Sequence, residues 1–222
     1  MEQFRTVVDQ LNEAGISYWV DSGTLLGLIR DGEIAEHDHD LDISVWAEDK
    51  EKFEQLDILS DGYKLQKRFY EGYCHKYLYL PTAGQKRKVD IQFIRREDEF
   101  GWLPLSRVKK SDTVVGRLIR LIESMVKYYA HSKGGTVHLD QFPQKQFIDM
   151  MTLIIPNGFV ESPEWNEEFG AFFPRDVEEY LQYRYGEWEV EVIDWELEDD
   201  GGIYAVPPAV AKDRYRQRTA SE

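Results

Sequence analysis

Residues 23–42 read GTLLGLIRDGEIAEHDHDLD, and their last members open the run DLDISVW that continues to Trp46. A small-residue turn leads into a short apolar helix carrying Arg30, and three aspartates, Asp38, Asp40 and Asp42, then follow at alternate positions. The β-branched and aromatic residues of DLDISVW predict a strand, in which residues two apart share a face, so these carboxylates crowd one spot. Like charges that close raise one another's pKa unless a cation sits between them. A hard divalent cation fits, and magnesium typically takes one or two protein carboxylates together with substrate phosphates.

The preceding turn supplies the phosphate half of this reading. In VDSGTLLG the backbone passes Gly23 and Thr24 into the apolar run Leu25 to Ile29, so free amides at a helix start face outward toward an anion. Gly23 has no Cβ to hold a phosphate away, and Arg30 offers a planar fork of donors to the same group. A capped helix with a surface arginine is the structural alternative for the turn alone. Turn, arginine and aspartate ladder within twenty residues favour a functional site.

The string GTLLGLIR, then Ile34 and DHDLDI, resembles the signature of the LicD and fukutin phosphotransferases of the nucleotidyltransferase superfamily. GYCHKYLYL followed by KRKVDIQFI, and FFPRDVEEYLQYRYGEWE near the end, are similar to further elements of that family in the same order. The resemblance covers residues 16–95 well and 172–195 loosely. It implies an α/β (α+β) fold of the nucleotidyltransferase, polymerase-β-like palm type, a mixed β-sheet flanked by helices, with a mostly helical C-terminal part. It also implies that Asp40 and Asp42, which fit the acid, apolar, acid, apolar pattern, are metal ligands. Within RKVDIQFI, Val89, Ile91 and Phe93 alternate with Asp90, which leaves the apolar face. A lone aspartate in mid-strand needs a reason. An edge strand facing water is one; the ladder and the family pattern favour a third metal ligand that also takes the acceptor's proton, as in two-metal sites that clamp attacking and leaving oxygens.

Around this trio, Asp38 stands at the strand mouth, and His39 is read as a wall residue of the site. Zinc does not suit the His-Asp alternation, because successive strand residues point apart. Lys76 lies on a strand next to that of Asp90 and is a candidate for a donor phosphate, with an exposed strand lysine as the plainer outcome.

At 222 residues with 42% hydrophobic content the chain can bury one core, or one core and a small appendage. Lys and Arg total 27 against 42 Asp and Glu, a net charge of −15 that repels nucleic acid on average. The single cysteine, Cys74, excludes an internal disulfide and a cysteine-rich zinc site. No run approaches the length of a membrane span, and MEQFRTVVDQ lacks a signal-peptide core, so a soluble, cytoplasmic protein is expected.

Periodicity divides the chain into a catalytic core at 1–100, a helical and loop-rich part at 101–210 and a frayed tail at 211–222. Phe4, Val7, Val8 and Leu11 keep helical spacing up to Gly15, and ISYWV runs as a strand into the turn. AEDKEKFEQL reads as a helix with Phe53 and Leu56 inward. GYKLQKRFY and CHKYLYL form a hairpin about Glu71 and Gly72, followed by the strand RKVDIQFI. Val114 to Tyr129 follow a helical period, whose Arg117 and Arg120 read as a solvated face. Residues 157–173 read as a long loop. PRDVEEYLQYRYGEW reads as a helix from Pro174 to about Gly186, with Tyr180, Leu181 and Tyr185 inward. Asp194 to Asp200 read as a solvated acidic face.

By this resemblance the chain is a metal-dependent enzyme using magnesium, with manganese as the alternative. Its donor is a nucleotide-linked small molecule, a CDP-alcohol of the CDP-choline or CDP-polyol type, and its acceptor a hydroxyl, on a glycan. Gly23, Thr24, Arg30, Asp38, His39 and Lys76 would bind substrate, and Asp40, Asp42 and Asp90 would carry the chemistry. The runner-up is a nucleotidyltransferase that moves NMP from an NTP and releases pyrophosphate. An inactive binding domain is disfavoured by the intact acids.

Overall fold

Phe4, Val7, Val8 and Leu11 are all buried on the inner face of α1 (Glu2–Glu13), which stops where Gly15 turns left-handed at φ 60°. The chain then forms β1 (Tyr18–Val20), α2 (Ser22–Asp31) and β2 (Asp40–Trp46). Gly32, at φ 74°, ends α2. One 3-10 turn (Ala47–Asp49) and the short α3 (Lys50–Phe53) bury Phe53 as expected. The hairpin β3 (Tyr63–Tyr70) and β4 (Tyr73–Pro81) closes through Glu71 at φ 48° and Gly72 at φ 74°, the left-handed pair that a tight two-residue hairpin requires. This computed structural model describes residues 1–35, 38–56, 58–59, 62–82, 87–108, 135–138, 148–192 and 195–221. The helix expected over Val114 to Tyr129 lies outside the described residues, as does His37.

The remaining elements are β5 (Lys88–Arg96), β6 (Phe100–Val108), β7 (Gly135–His138), β8 (Ile148–Pro156), α4 (Asn157–Val160), β9 (Glu164–Asn166), β10 (Ala171–Phe173), α5 (Val177–Tyr185), β11 (Ile203–Tyr204) and α6 (Pro208–Thr219). They build one mixed sheet in the order β11-β8-β6-β5-β4-β3-β7. β2 pairs in parallel with residues 88–94 of β5, and β6 takes over at Arg95 and Arg96, so β6 continues the edge that β2 begins. β1 adds to β2 antiparallel, and β9 pairs with β10 in a separate two-stranded ribbon. The fold is the expected mixed α/β sheet flanked by helices.

Leu41, Ile43 and Val45 of β2 and Val89, Ile91 and Phe93 of β5 share one face and join the apolar residues of α1 in the main core. Burial of this apolar surface is the chief stabilising term. A smaller cluster of Phe100, Trp102, Ile154, Ala211 and Tyr215 lies under α6.

Four stretches differ from the sequence reading. Residues 157–173, expected as a loop, hold α4 and the β9–β10 ribbon, with Ala171 and Phe173 buried and Phe172 edge-on to Tyr18 at 5.6 Å. Three-residue strands are too short for alternation to stand out. The tail expected to fray from Ala211 is helix α6: Pro208, Ala211 and Tyr215 are buried, and Tyr215 meets Phe100 edge-on at 4.7 Å. Its apolar stripe is only one residue wide, and Lys212 and Arg216 reach Glu97 at 2.9 and 3.2 Å to complete the contact. Helix α5 starts at Val177 rather than Pro174, because Asp176 before it adopts φ 48°. The part expected to be mostly helical also contains the nine-residue strands β6 and β8. Among the described residues no helix is long and apolar enough to cross a membrane.

Candidate active site

The parallel register of β2 and β5 sets Asp40 opposite Lys88, Asp42 opposite Asp90 and Ser44 opposite Gln92. Paired residues of neighbouring strands point to the same side, so the apolar set goes to the core and the polar set to the other face. A carboxylate oxygen from each of Asp40, Asp42 and Asp90 therefore lies within 4.8 Å of the others. Antiparallel β4 brings in Lys76 opposite Gln92, and its Nζ reaches Asp90 Oδ2 at 2.5 Å. Lys88 Nζ lies 2.7 Å from Asp40 Oδ2 and 3.2 Å from the same Asp90 Oδ2. Gln92 Nε2 donates to Asp42 Oδ1 at 3.3 Å. Asp90 is 2% exposed, and its Oδ1 is buried with no hydrogen-bond partner.

Burial and the neighbouring Asp90 charge push the Asp42 carboxyl well above the usual range. Burial and a hydrogen bond shared with Asp40 raise Asp38 to about 6. Burial works in the same direction on Asp40, but the Lys88 ammonium beside it holds that carboxyl low. Three converging carboxylates with no sulfur or imidazole, one of them buried with an unpartnered oxygen and another resisting ionisation, are a donor set suited to a hard divalent cation.

The other side of the site is α2. Its N-cap, Asp21, accepts from Ser22 N, and Ser22 itself sits at φ 51°, a conformation that costs a residue with a Cβ roughly 1–3 kcal/mol. A Cβ at Gly23 would lie 2.9 Å from Asp38 Oδ2, and one at Gly27 would meet the Glu33 carbonyl at 2.8 Å and the Ala35 nitrogen at 3.2 Å. Glycines four apart on one helix face thus let the chain 33–38 cross close over α2 and carry Asp38 to the acids. Arg87 pins that crossing by donating to the carbonyls of Ile34, Ala35 and Asp38.

A cleft of about 760 Å³ opens between these elements and the segment after α5. Gly23, Arg30, Asp38, Asp40, Asp42, Lys76 and Asp90 line it together. Arg30 pairs with Asp31 at 2.8 Å on the rim. Thr24 is buried, with its hydroxyl accepting from Asp42 N at 2.9 Å, so it ties α2 to β2 and is not part of the lining. His39 is exposed and is also absent from the lining. The opposite wall sets Tyr185, Trp188, Val190, Val192 and Trp195 among Glu187 and Glu191, with the two valines 60% and 58% exposed.

One part of the site went unread in the sequence. Arg184 of α5, fully buried, donates from NH1 to Asp21 Oδ1 at 2.9 Å and grips Asp200 with Nε and NH2 at 2.7–2.8 Å. Tyr180 also donates to Asp21, at 2.6 Å, and Trp19 and Ser44 donate to its other oxygen. Asp200 therefore belongs to a buried ion pair and not to a solvated acidic face. Against its burial, Arg184 holds Asp21 below the usual carboxylate range. The one signal was an arginine one turn after Tyr180 in an aromatic stretch.

Residues 15–114 match a family model described as LicD/FKTN/FKRP, nucleotidyltransferase domain. Over 55 residues the chain is 44% identical to "Ribitol 5-phosphate transferase FKRP" of Mus musculus and of Homo sapiens, a stretch covering 25% of this chain and 11% of each relative. It is 46% identical over 91 residues to the uncharacterized protein RT0683 of Rickettsia typhi, covering 40% of this chain and 26% of that one. The chain thus matches only a minor part of the length of these relatives. A solution structure of the antibiotic-resistance factor ANT(2'')-Ia aligns with 99% of this chain and 92% of its own at a TM-score of 0.37 and 14% identity, too low a likeness to bear on function.

Proposed function

We propose, from the premise that residues 15–114 form a LicD/FKTN/FKRP-type nucleotidyltransferase domain, that the cleft transfers a phospho-alcohol from a CDP-linked donor to a hydroxyl acceptor on a glycan. The printed name of the FKRP relatives, a ribitol 5-phosphate transferase, supports a phospho-polyol as the group moved. The donor's pyrophosphate lies against Ser22 and Gly23, where the helix start and Arg30 offer donors. Asp90 Oδ1 takes the proton of the acceptor hydroxyl while the acceptor oxygen bonds to the distal phosphorus. The bond from that phosphorus to the bridging oxygen breaks, and CMP leaves. Magnesium or manganese, when bound by Asp40, Asp42 and Asp90, supplies charge neutralisation on the phosphoryl oxygens. Lys76 and Lys88 hold Asp90 in place through Oδ2 and leave Oδ1 without a hydrogen-bond partner.

The observation that carries this reading is the single polar face on which register alone gathers Asp40, Asp42 and Asp90, with one buried carboxylate oxygen unpartnered. Incubating the protein and Mg²⁺ with a panel of CDP-alcohols and NTPs, with a glycan acceptor mixture, tests it. Release of CMP from a CDP-alcohol is expected. Pyrophosphate from an NTP would shift the reading to NMP transfer, and no turnover with any donor would leave it without support.

A further inference from the structure

Acid clusters that work on phosphates often hold two cations, each screening a different oxygen. Here one of the cations is already part of the chain. We infer that the Lys88 ammonium stands in for a second metal, so that this site takes one divalent ion per chain; the inference rests on the metal-dependent reading above.

The geometry is fixed by register. Lys88 lies directly opposite Asp40 in the parallel pair and two residues before Asp90 on the same strand, so its side chain rises on the face of both. Its Nζ bridges them, 2.7 Å from Asp40 Oδ2 and 3.2 Å from Asp90 Oδ2. Lys76 adds a second ammonium at 2.5 Å from that same Asp90 oxygen. Asp90 is therefore divided: Oδ2 is saturated by two ammonium groups, while Oδ1 is buried and without a partner. A single unpartnered oxygen on Asp90 leaves a place for one ion.

Charge leads to the same count. Asp38, Asp40, Asp42 and Asp90 against Lys76 and Lys88 leave two net negative charges on this face when all are ionised, which one divalent ion balances. A second would pack two dications beside two ammonium groups on a partly buried surface, where like-charge repulsion is poorly screened. Lys88 holds Asp40 and Asp90 together, as a bridging metal would, and carries no open coordination position.

Titrating the full chain with Mn²⁺ and counting bound ions by the loss of the free-ion electron paramagnetic resonance signal tests this without any turnover. The wild type should bind one Mn²⁺ per chain. Lys88→Met, of similar length and without the charge, should bind two, and Lys88→Arg should stay at one, each checked for native circular dichroism. Two ions on the wild type, or only one on folded Lys88→Met, overturns the role of Lys88. Should Lys88→Met not fold, the wild-type and Lys88→Arg counts still decide, since two ions on either overturns it. No ion bound to the wild type removes the metal-dependent reading itself, a different result from either.

Discussion

In the proposed reaction Asp90 divides its two oxygens between structure and chemistry: Oδ2 is held by Lys76 and Lys88, and Oδ1 is left buried and unpartnered. Asp90→Asn keeps the size of the side chain but removes the base, so it should bind the magnesium–donor complex while turnover falls. A general base contributes about 10²–10⁴-fold. Calorimetric donor titration beside single-turnover rates checks the split; near-normal turnover with collapsed donor affinity would assign Asp90 to the donor and proton removal to another residue. The three acids were legible because period-two alternation assigns faces without knowledge of the neighbours. Their cationic partners were read less well: Lys88 shares the face of Asp90 by the same alternation yet a strand lysine carries no distinctive signal, and the contact of Lys76 with Asp90 depends on the register between β4 and β5. Lys76, read as a candidate for a donor phosphate, lines the cleft and lies against Asp90, and Lys88 attracted no notice.

At the scale of elements, the active face is assembled by α2, β2 and β5 and braced by α5 from outside. The brace is the buried set Asp21, Tyr180, Arg184 and Asp200, in which each charge is met by an opposite charge and by hydrogen-bond donors or acceptors. Such a network is costly to break halfway, because the partner left behind is a buried bare charge. Arg184→Met should therefore destabilise the fold by about 3–5 kcal/mol in urea denaturation, leaving Asp21 and Asp200 unpaired in the interior. A loss under about 1 kcal/mol would mean that the pair is not buried in solution. Helices α1 and α2, the hairpin β3–β4 and strands β2 and β5 could be read from the sequence because each carries its own period and its own turn residues. The β9–β10 ribbon and α6 could not, since each owes its shape to contacts with distant residues: Phe172 with Tyr18, and Tyr215 with Phe100.

Across the described residues, one mixed sheet presents an apolar face to the core and a charged patch to a cleft whose far wall carries aromatic and aliphatic side chains among acids. The cleft shares the acidic character of the chain, whose net charge is −15: Arg30, Lys76 and Arg184 line it beside seven carboxylates, so a pyrophosphate there depends on a bound cation for charge balance. The cleft's acidic floor could be anticipated from residues 38–42 and 90. Its largely apolar far wall could not, because Trp188, Val190, Val192 and Trp195 lie among acids with no period of their own and become a wall only by facing α2 across the cleft. The central claim is that Asp40, Asp42 and Asp90 act together on a nucleotide-linked donor through a divalent ion. The most direct measurement is CMP release from a CDP-alcohol, with and without Mg²⁺, by the wild type and by Asp42→Asn. The account predicts release by the wild type only with Mg²⁺ and none by the variant, which should melt no lower than the wild type because it loses a carboxylate that resists ionisation. Undiminished release by a folded Asp42→Asn, or wild-type release indifferent to Mg²⁺, would contradict it.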